Sequence, residues 1–102
     1  MAYTWCIRFE WDDAKDRRNQ EKHGLSFTEA KQLFERNQDY LEIFDASHSD
    51  NEDRFIAIGE IDRGIAVVVY TEREENLIRI IGARLATRRE QERYRAYMDR
   101  QA

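Results

Sequence analysis

The chain has 102 residues, 41% of them hydrophobic, enough for one domain with a modest core over 1–102. A net charge of −4 argues against a generic nucleic-acid binder, and the single cysteine, Cys6, excludes an internal disulfide and a cysteine-based zinc site. No apolar run approaches the roughly 20 residues that span a bilayer, and the N-terminus lacks the basic-then-apolar layout of a secretory signal, so a cytoplasmic protein is expected.

The average charge hides an asymmetry. Residues 1–78 hold 10 Lys/Arg against 18 Asp/Glu, whereas residues 79–102 hold 7 Arg against 3 Asp/Glu. A polyanion can therefore meet a locally basic surface on an acidic molecule. The plainer reading is a solvated basic face on a C-terminal helix.

In chain order, Trp5 to Trp11 alternates Trp5, Ile7, Phe9 and Trp11 with Cys6, Arg8 and Glu10, the period of a strand. Asp12 is a suitable N-cap for a helix to about His23, where Gly24 can take the left-handed conformation that ends it. Ser26 and Glu29 have capping-box spacing, which predicts a second helix to about Arg36 with Phe27, Ala30, Leu33 and Phe34 on one face. Tyr40 to Phe44 reads as a strand and Asp45 to Asp53 as a polar loop. Phe55 to Ile61 and Ile65 to Thr71 form a hairpin across Asp62-Arg63-Gly64. The run from Ile65 to Tyr70 is apolar on both faces, so it belongs in the middle of a sheet covered on both sides. Glu74-Glu75-Asn76 turns the chain into a strand over Leu77 to Ala83. Thr87 and Glu90 repeat the capping-box spacing and open a helix to about Met98. The order β-α-α-β-β-β-β-α gives an α+β fold: a mostly antiparallel sheet, two N-terminal helices packed on it and a C-terminal helix.

Several residues are chemically conspicuous. Arg79 sits between Ile78 and Ile80 in an apolar strand, so it belongs either at a cleft or beside a buried carboxylate. Arg54 opens a strand in phase with Ile56 and Ile58, Arg73 follows the central strand, and Arg84 ends the last one. These arginines are either one phosphate-binding cleft or ordinary salt bridges with Glu52, Glu72 or Asp45. Lys22 and His23 complement the dipole at the end of the first helix, and neighbours on a helix point about 100° apart. His48 with its acidic neighbours raises a metal reading, but neither zinc spacing nor a calcium-loop pattern is present. A serine nucleophile elbow is missing as well.

The ordered set Phe9-Glu10-Trp11-Asp12, Lys15, Asn19, Lys22-His23-Gly24, Ser26-Phe27-Thr28-Glu29-Ala30, His48-Ser49, Thr71-Glu72-Arg73 and Arg79-Ile80-Ile81-Gly82-Ala83-Arg84 resembles the BrnT family of toxins from bacterial type II toxin–antitoxin pairs. The resemblance runs from about Phe9 to Tyr94. It implies a RelE-like fold and a ribonuclease that uses neither metal nor cofactor. The family's functional positions carry over as Lys22, His23, Glu52, Arg54, Arg73, Arg79 and Arg84. In that reading Arg54, Arg73 and Arg79 hold the scissile phosphate of RNA. Glu52, Lys22 or His23 transfers protons, and Arg84 and Arg88 contact substrate. The resemblance also implies a BrnA-like ribbon-helix-helix antitoxin, through which operator DNA is contacted. Two departures from the family pattern stand out: Glu35-Arg36-Asn37-Gln38 replaces the usual Asp-Pro step, and Gly82 stands where serine is common. The rival reading is a non-catalytic partner-binding or co-repressor subunit of the same fold. Direct DNA binding through residues 84–95 is disfavoured by Glu90 and Glu92.

Overall fold

The computed structural model describes residues 7–36, 38–48 and 52–101. Its elements are β1 (Arg8–Glu10), α1 (Asp13–His23), α2 (Phe27–Ala30), α3 (Gln32–Glu35), β2 (Leu41–Phe44), β3 (Phe55–Ile61), β4 (Gly64–Glu74), β5 (Leu77–Leu85) and α4 (Arg88–Gln101), with a 3₁₀ turn at Ala46–His48. Trp5 and Cys6 of the expected first strand, Asn37, Ser49 and Asp50, and the His48 side chain lie outside the described residues.

Local chemistry sets the helix ends. The Asp12 carboxylate accepts from the Ala14 and Lys15 backbone N–H groups at 2.8 and 3.2 Å, and those donors hold its carboxyl below the usual range. Gly24 takes φ 70°, and its N–H closes on the Gln20 carbonyl at 2.8 Å. Ser26 and Glu29 form the expected capping box. The helix it opens is not continuous to Arg36, as expected, but breaks at Lys31 into two single turns. The buried positions explain the break. Phe27, Ala30 and Leu33 recur every three residues, and the Phe34 N–H bonds three residues back to the Lys31 carbonyl at 3.0 Å. A tighter turn keeps that stripe against the sheet.

The sheet order is β1-β5-β4-β3-β2, with β1 parallel to β5 and every other pair antiparallel. The long apolar strand β4 is central and covered on both sides, as its composition requires. Ala66, Val68 and Tyr70 join Leu25, Phe27, Leu33 and Phe34 under the N-terminal helices. Val67 joins Ile58, Tyr94 and Met98 under α4 on the opposite face. Gly59 sits where a Cβ would lie 2.9 Å from Tyr40 Cβ and 3.1 Å from Leu33 Cγ, so the α3–sheet contact requires a bare backbone there.

Phe34 is the hub of an aromatic cluster, with ring centroids 4.9 Å from Tyr70, 5.4 Å from Tyr40 and 5.9 Å from Phe9. Tyr70 is buried, and its hydroxyl donates to the Glu42 carboxylate. Burial first, and then that carboxylate, holds the phenol far above its ordinary pKa.

Candidate active site

On a regular strand, Arg79 and Arg84 would point to opposite faces, because side chains alternate with a period of two. In β5 they share one. The register runs Val69 opposite Gly82 and Tyr70 opposite Ile80, leaving Ile81 as an extra residue. Beyond this bulge the alternation is inverted. Arg79, Gly82 and Arg84 therefore lie on the same side of the sheet as Thr71, Val69 and Val67, their partners on β4.

Around Arg79 the charges form a chain. Arg79 Nη1 donates to Glu10 Oε2 at 3.1 Å, and Glu10 is its register partner on the parallel strand β1. Arg73 Nε lies 4.0 Å from the same Glu10 oxygen, and Arg73 Nη1 lies 3.6 Å from Glu52 Oε2. Two guanidinium groups and two carboxylates thus alternate across the end of the sheet, all part-exposed. Thr71, buried beside Arg79, fixes the neighbouring loop by donating its hydroxyl to the Asp53 carbonyl at 2.6 Å. The next carbonyl, of Arg54, accepts from the Asp45 N–H at 2.8 Å. The backbone that carries Glu52 and Arg54 is anchored at two points.

Along the same face, a pocket of about 210 Å³ is lined by Ile56, Val67, Val69, Gly82 and Ala83, with Asn19, His23, Arg84 and Glu90 also around it. Arg84 is engaged there: its Nη1 and Nη2 donate to both Glu90 oxygens at 2.7 and 2.8 Å. Those two hydrogen bonds, more than the Thr87 N–H, pull the Glu90 carboxyl from 4.5 to about 2, and they raise the Arg84 pKa. Arg84 is thus committed to a carboxylate within its own chain and does not join the Arg73–Arg79 chain.

The remaining candidates are spread out. His23 borders both this pocket and a second groove, lined by Lys15, Arg18, Asn19, Lys22 and Ile81, at the other margin of β5. Lys22 lines that second groove and not the pocket over Gly82, as the angular offset between helix neighbours requires. Arg88 projects from the start of α4, 95% exposed at its side chain and 3.7 Å from Glu92. Among the described residues, no three histidine, cysteine or carboxylate side chains gather as a metal site requires.

Three residues of the family pattern carry no role in the sequence reading. Glu10 read as an ordinary outward position of a strand, although it stands between two aromatics. Thr71 is a hydroxyl at the end of an apolar run. Asn19 is a short amide in the middle of a helix, where it forgoes helix propensity and needs another reason to be there.

The family model described as "Ribonuclease toxin, BrnT, of type II toxin-antitoxin system" matches residues 11–90. The chain belongs to the BrnT ribonuclease toxin family. Its fold is also similar to the crystal structure of the Brucella abortus ribonuclease toxin BrnT, at 26% sequence identity and a TM-score of 0.62, over 80% of this chain and 99% of that one. No curated protein matches the chain. The α+β architecture expected from sequence is the fold of this BrnT neighbour. No helix among the described residues is long and apolar enough to cross a membrane.

Proposed function

We propose that this BrnT-family chain is an endoribonuclease that cuts RNA without a metal ion, by attack of the ribose 2′-hydroxyl on the adjacent phosphate. The observation that carries the reading is the alternating chain Glu52–Arg73–Glu10–Arg79 on an open sheet face, in a chain of a ribonuclease toxin family. Phosphodiester cleavage of this kind needs a base, a stabiliser for the added negative charge of the phosphorane, and an acid. Guanidinium forks suit the second task, since they match phosphate oxygens and keep their charge. An incoming phosphate competes with Glu10 for Arg73 and Arg79, and Arg54 borders the same end of the sheet.

Glu52, already within reach of Arg73, takes the 2′-hydroxyl proton as O2′ bonds to phosphorus. The P–O5′ bond breaks, and O5′ receives a proton from His23, which lines the same sheet face. Lys22, in the adjoining groove, contributes positive charge to the RNA path. The products are a 2′,3′-cyclic phosphate and a 5′-hydroxyl end. Arg84 serves to shape the pocket with Glu90 rather than to grip phosphate, and Arg88 is peripheral.

The toxin's partner in this reading is a BrnA-like ribbon-helix-helix antitoxin, with operator DNA contacted through it. Membership of a type II toxin family supports a protein antitoxin. Expression of the chain alone should arrest bacterial growth, and co-expression of the antitoxin should relieve it. Purified protein should cut RNA in excess EDTA and leave cyclic-phosphate ends. Cleavage that appears only on adding a divalent ion would overturn the metal-free mechanism.

A further inference from the structure

We infer that the pocket over Gly82 is a nucleobase subsite, which seats a base of the RNA strand whose phosphate lies on Arg73 and Arg79. The proposal rests on the ribonuclease reading above and adds to it a place where the enzyme senses a base.

Three observations converge on this assignment. The first is location. Thr71, opposite Arg79, and Val69, opposite Gly82, are two residues apart on one face of β4. That is about 7 Å along a strand, a separation that one nucleotide bridges between its phosphate and its base. The second is shape and chemistry. The floor is aliphatic, from Ile56, Val67 and Val69, and around it stand the His23 imidazole, the Arg84–Glu90 pair and the Asn19 amide, whose N–H groups already bond the Leu25 and Ala83 carbonyls. A flat apolar floor with a few polar groups around it is what a heteroaromatic ring with hydrogen-bonding edges requires. At about 210 Å³ the pocket admits one base and little more.

The third observation is the glycine itself. A Cβ at Gly82 would meet no atom within 4 Å, and no positive φ calls for glycine there. Glycine in a strand interior weakens the strand and is common beside a bulge, and the extra residue at Ile81 stands next to it; the missing side chain also has a consequence for a ligand. Here its absence leaves the pocket open beside Val69. Beyond His23 and Asn19, which border both cavities, the groove lined by Lys15, Arg18 and Lys22 continues the path with cations suited to the next phosphates.

The glycine also supplies the test. Gly82→Val should fold, because a Cβ there meets no atom within 4 Å and valine favours strands. Binding of nucleoside 3′-monophosphates and of ribose 5-phosphate, which has no base, is followed by amide chemical shifts in the wild type, in Gly82→Ala and in Gly82→Val. The wild type should bind the nucleotides at least tenfold more tightly than the sugar phosphate. That ratio should shrink in Gly82→Ala and fall close to one in Gly82→Val. A wild type that binds both ligands alike, or a folded Gly82→Val with the wild-type ratio, overturns the subsite. Should the larger variant fail to fold, an unchanged ratio in Gly82→Ala has the same force. The RNA cleavage assay is separate: a wild type that binds nucleotides through this pocket yet cuts no RNA sinks the ribonuclease reading and leaves the subsite standing.

Discussion

Asn19 pairs with Ala83 as a neighbouring strand would: its Nδ2 donates to the Ala83 carbonyl at 2.7 Å and its Oδ1 accepts from the Ala83 N–H at 3.2 Å. A further bond from Nδ2 reaches the Leu25 carbonyl at 2.8 Å. Among the described residues β1 pairs with β5 from Leu77 to Arg79, so at Ala83, four residues beyond the last pair, one side-chain amide supplies what a longer β1 would otherwise supply. Each such bond contributes about 0.5–1.5 kcal/mol, and a buried group left unpaired costs more. Asn19→Leu should therefore lower the unfolding free energy by about 2–4 kcal/mol in urea titration. A loss below about 1 kcal/mol would show that water replaces the amide without penalty.

Arg79→Ala separates chemistry from stability. The Arg79–Glu10 pair is part-exposed, with side-chain accessibilities of 31% and 37%, and pairs of that kind contribute about 0–1 kcal/mol. Loss of one donor to a developing oxyanion costs about 10²–10³ in rate. The variant should keep its denaturation midpoint nearly intact while cleavage falls at least a hundredfold. A large drop in midpoint with full specific activity would make Arg79 a structural ion-pair residue.

Proton transfer can be read from single substitutions. Glu52→Gln and His23→Gln each remove a group that can exchange a proton with the reacting oxygens, and each should lower cleavage by about 10²–10⁴. Wild-type rates in both folded variants would assign the two roles elsewhere, with Glu10 the next carboxylate to substitute.

The Arg84–Glu90 pair has a stability signature. Because Arg84 holds the folded Glu90 carboxyl at about 2 against an ordinary 4.5, its contribution is complete above pH 4.5. It fades as pH falls through 4.5 toward 2, where the folded carboxyl also takes up its proton. Glu90→Gln should flatten that part of the pH–stability curve. Asp12 and Glu29, whose carboxyls are lowered mainly by backbone N–H bonds, leave some acid sensitivity in the variant. An acid limb identical to wild type would place Glu90 outside the balance.

Helix α4 rests on its own sheet through Tyr94, 5% exposed, and Met98. Its central amides should be protected from hydrogen exchange in the free toxin, to nearly the same extent as β4. Exchange within seconds in the absence of antitoxin would contradict this packing. Arg88→Glu should leave cleavage within about threefold, since a solvated charge pair contributes little.

Capping residues, turns and the apolar run of β4 were legible because each acts over a few neighbouring positions. Asp12, Gly24, the Ser26–Glu29 box and Asp62-Arg63-Gly64 all do what their local chemistry dictates. The candidate site was legible as a set of arginines but not as a geometry. Two-residue alternation would have parted Arg79 from Arg84, and only the pairing of β5 with β4 reveals the extra residue at Ile81. Glu10 meets Arg79 through a parallel pairing between strands 69 positions apart, which no local pattern encodes. The break at Lys31 is likewise imposed by the sheet beneath it.

Tyr70 makes the molecule its own optical indicator. The chain has five tyrosines, and while the fold persists the Tyr70 phenol stays protonated in alkali that ionises an exposed one. Burial raises the Tyr40 and Tyr94 phenols as well. Since a raised folded pKa means stability present below the unfolded value near 10 and lost as pH climbs beyond it, alkali should unfold the toxin and ionise Tyr70 in the same event. After a rapid jump to high pH, the late rise of phenolate absorbance should therefore keep time with unfolding, and the protein needs no attached dye to report it.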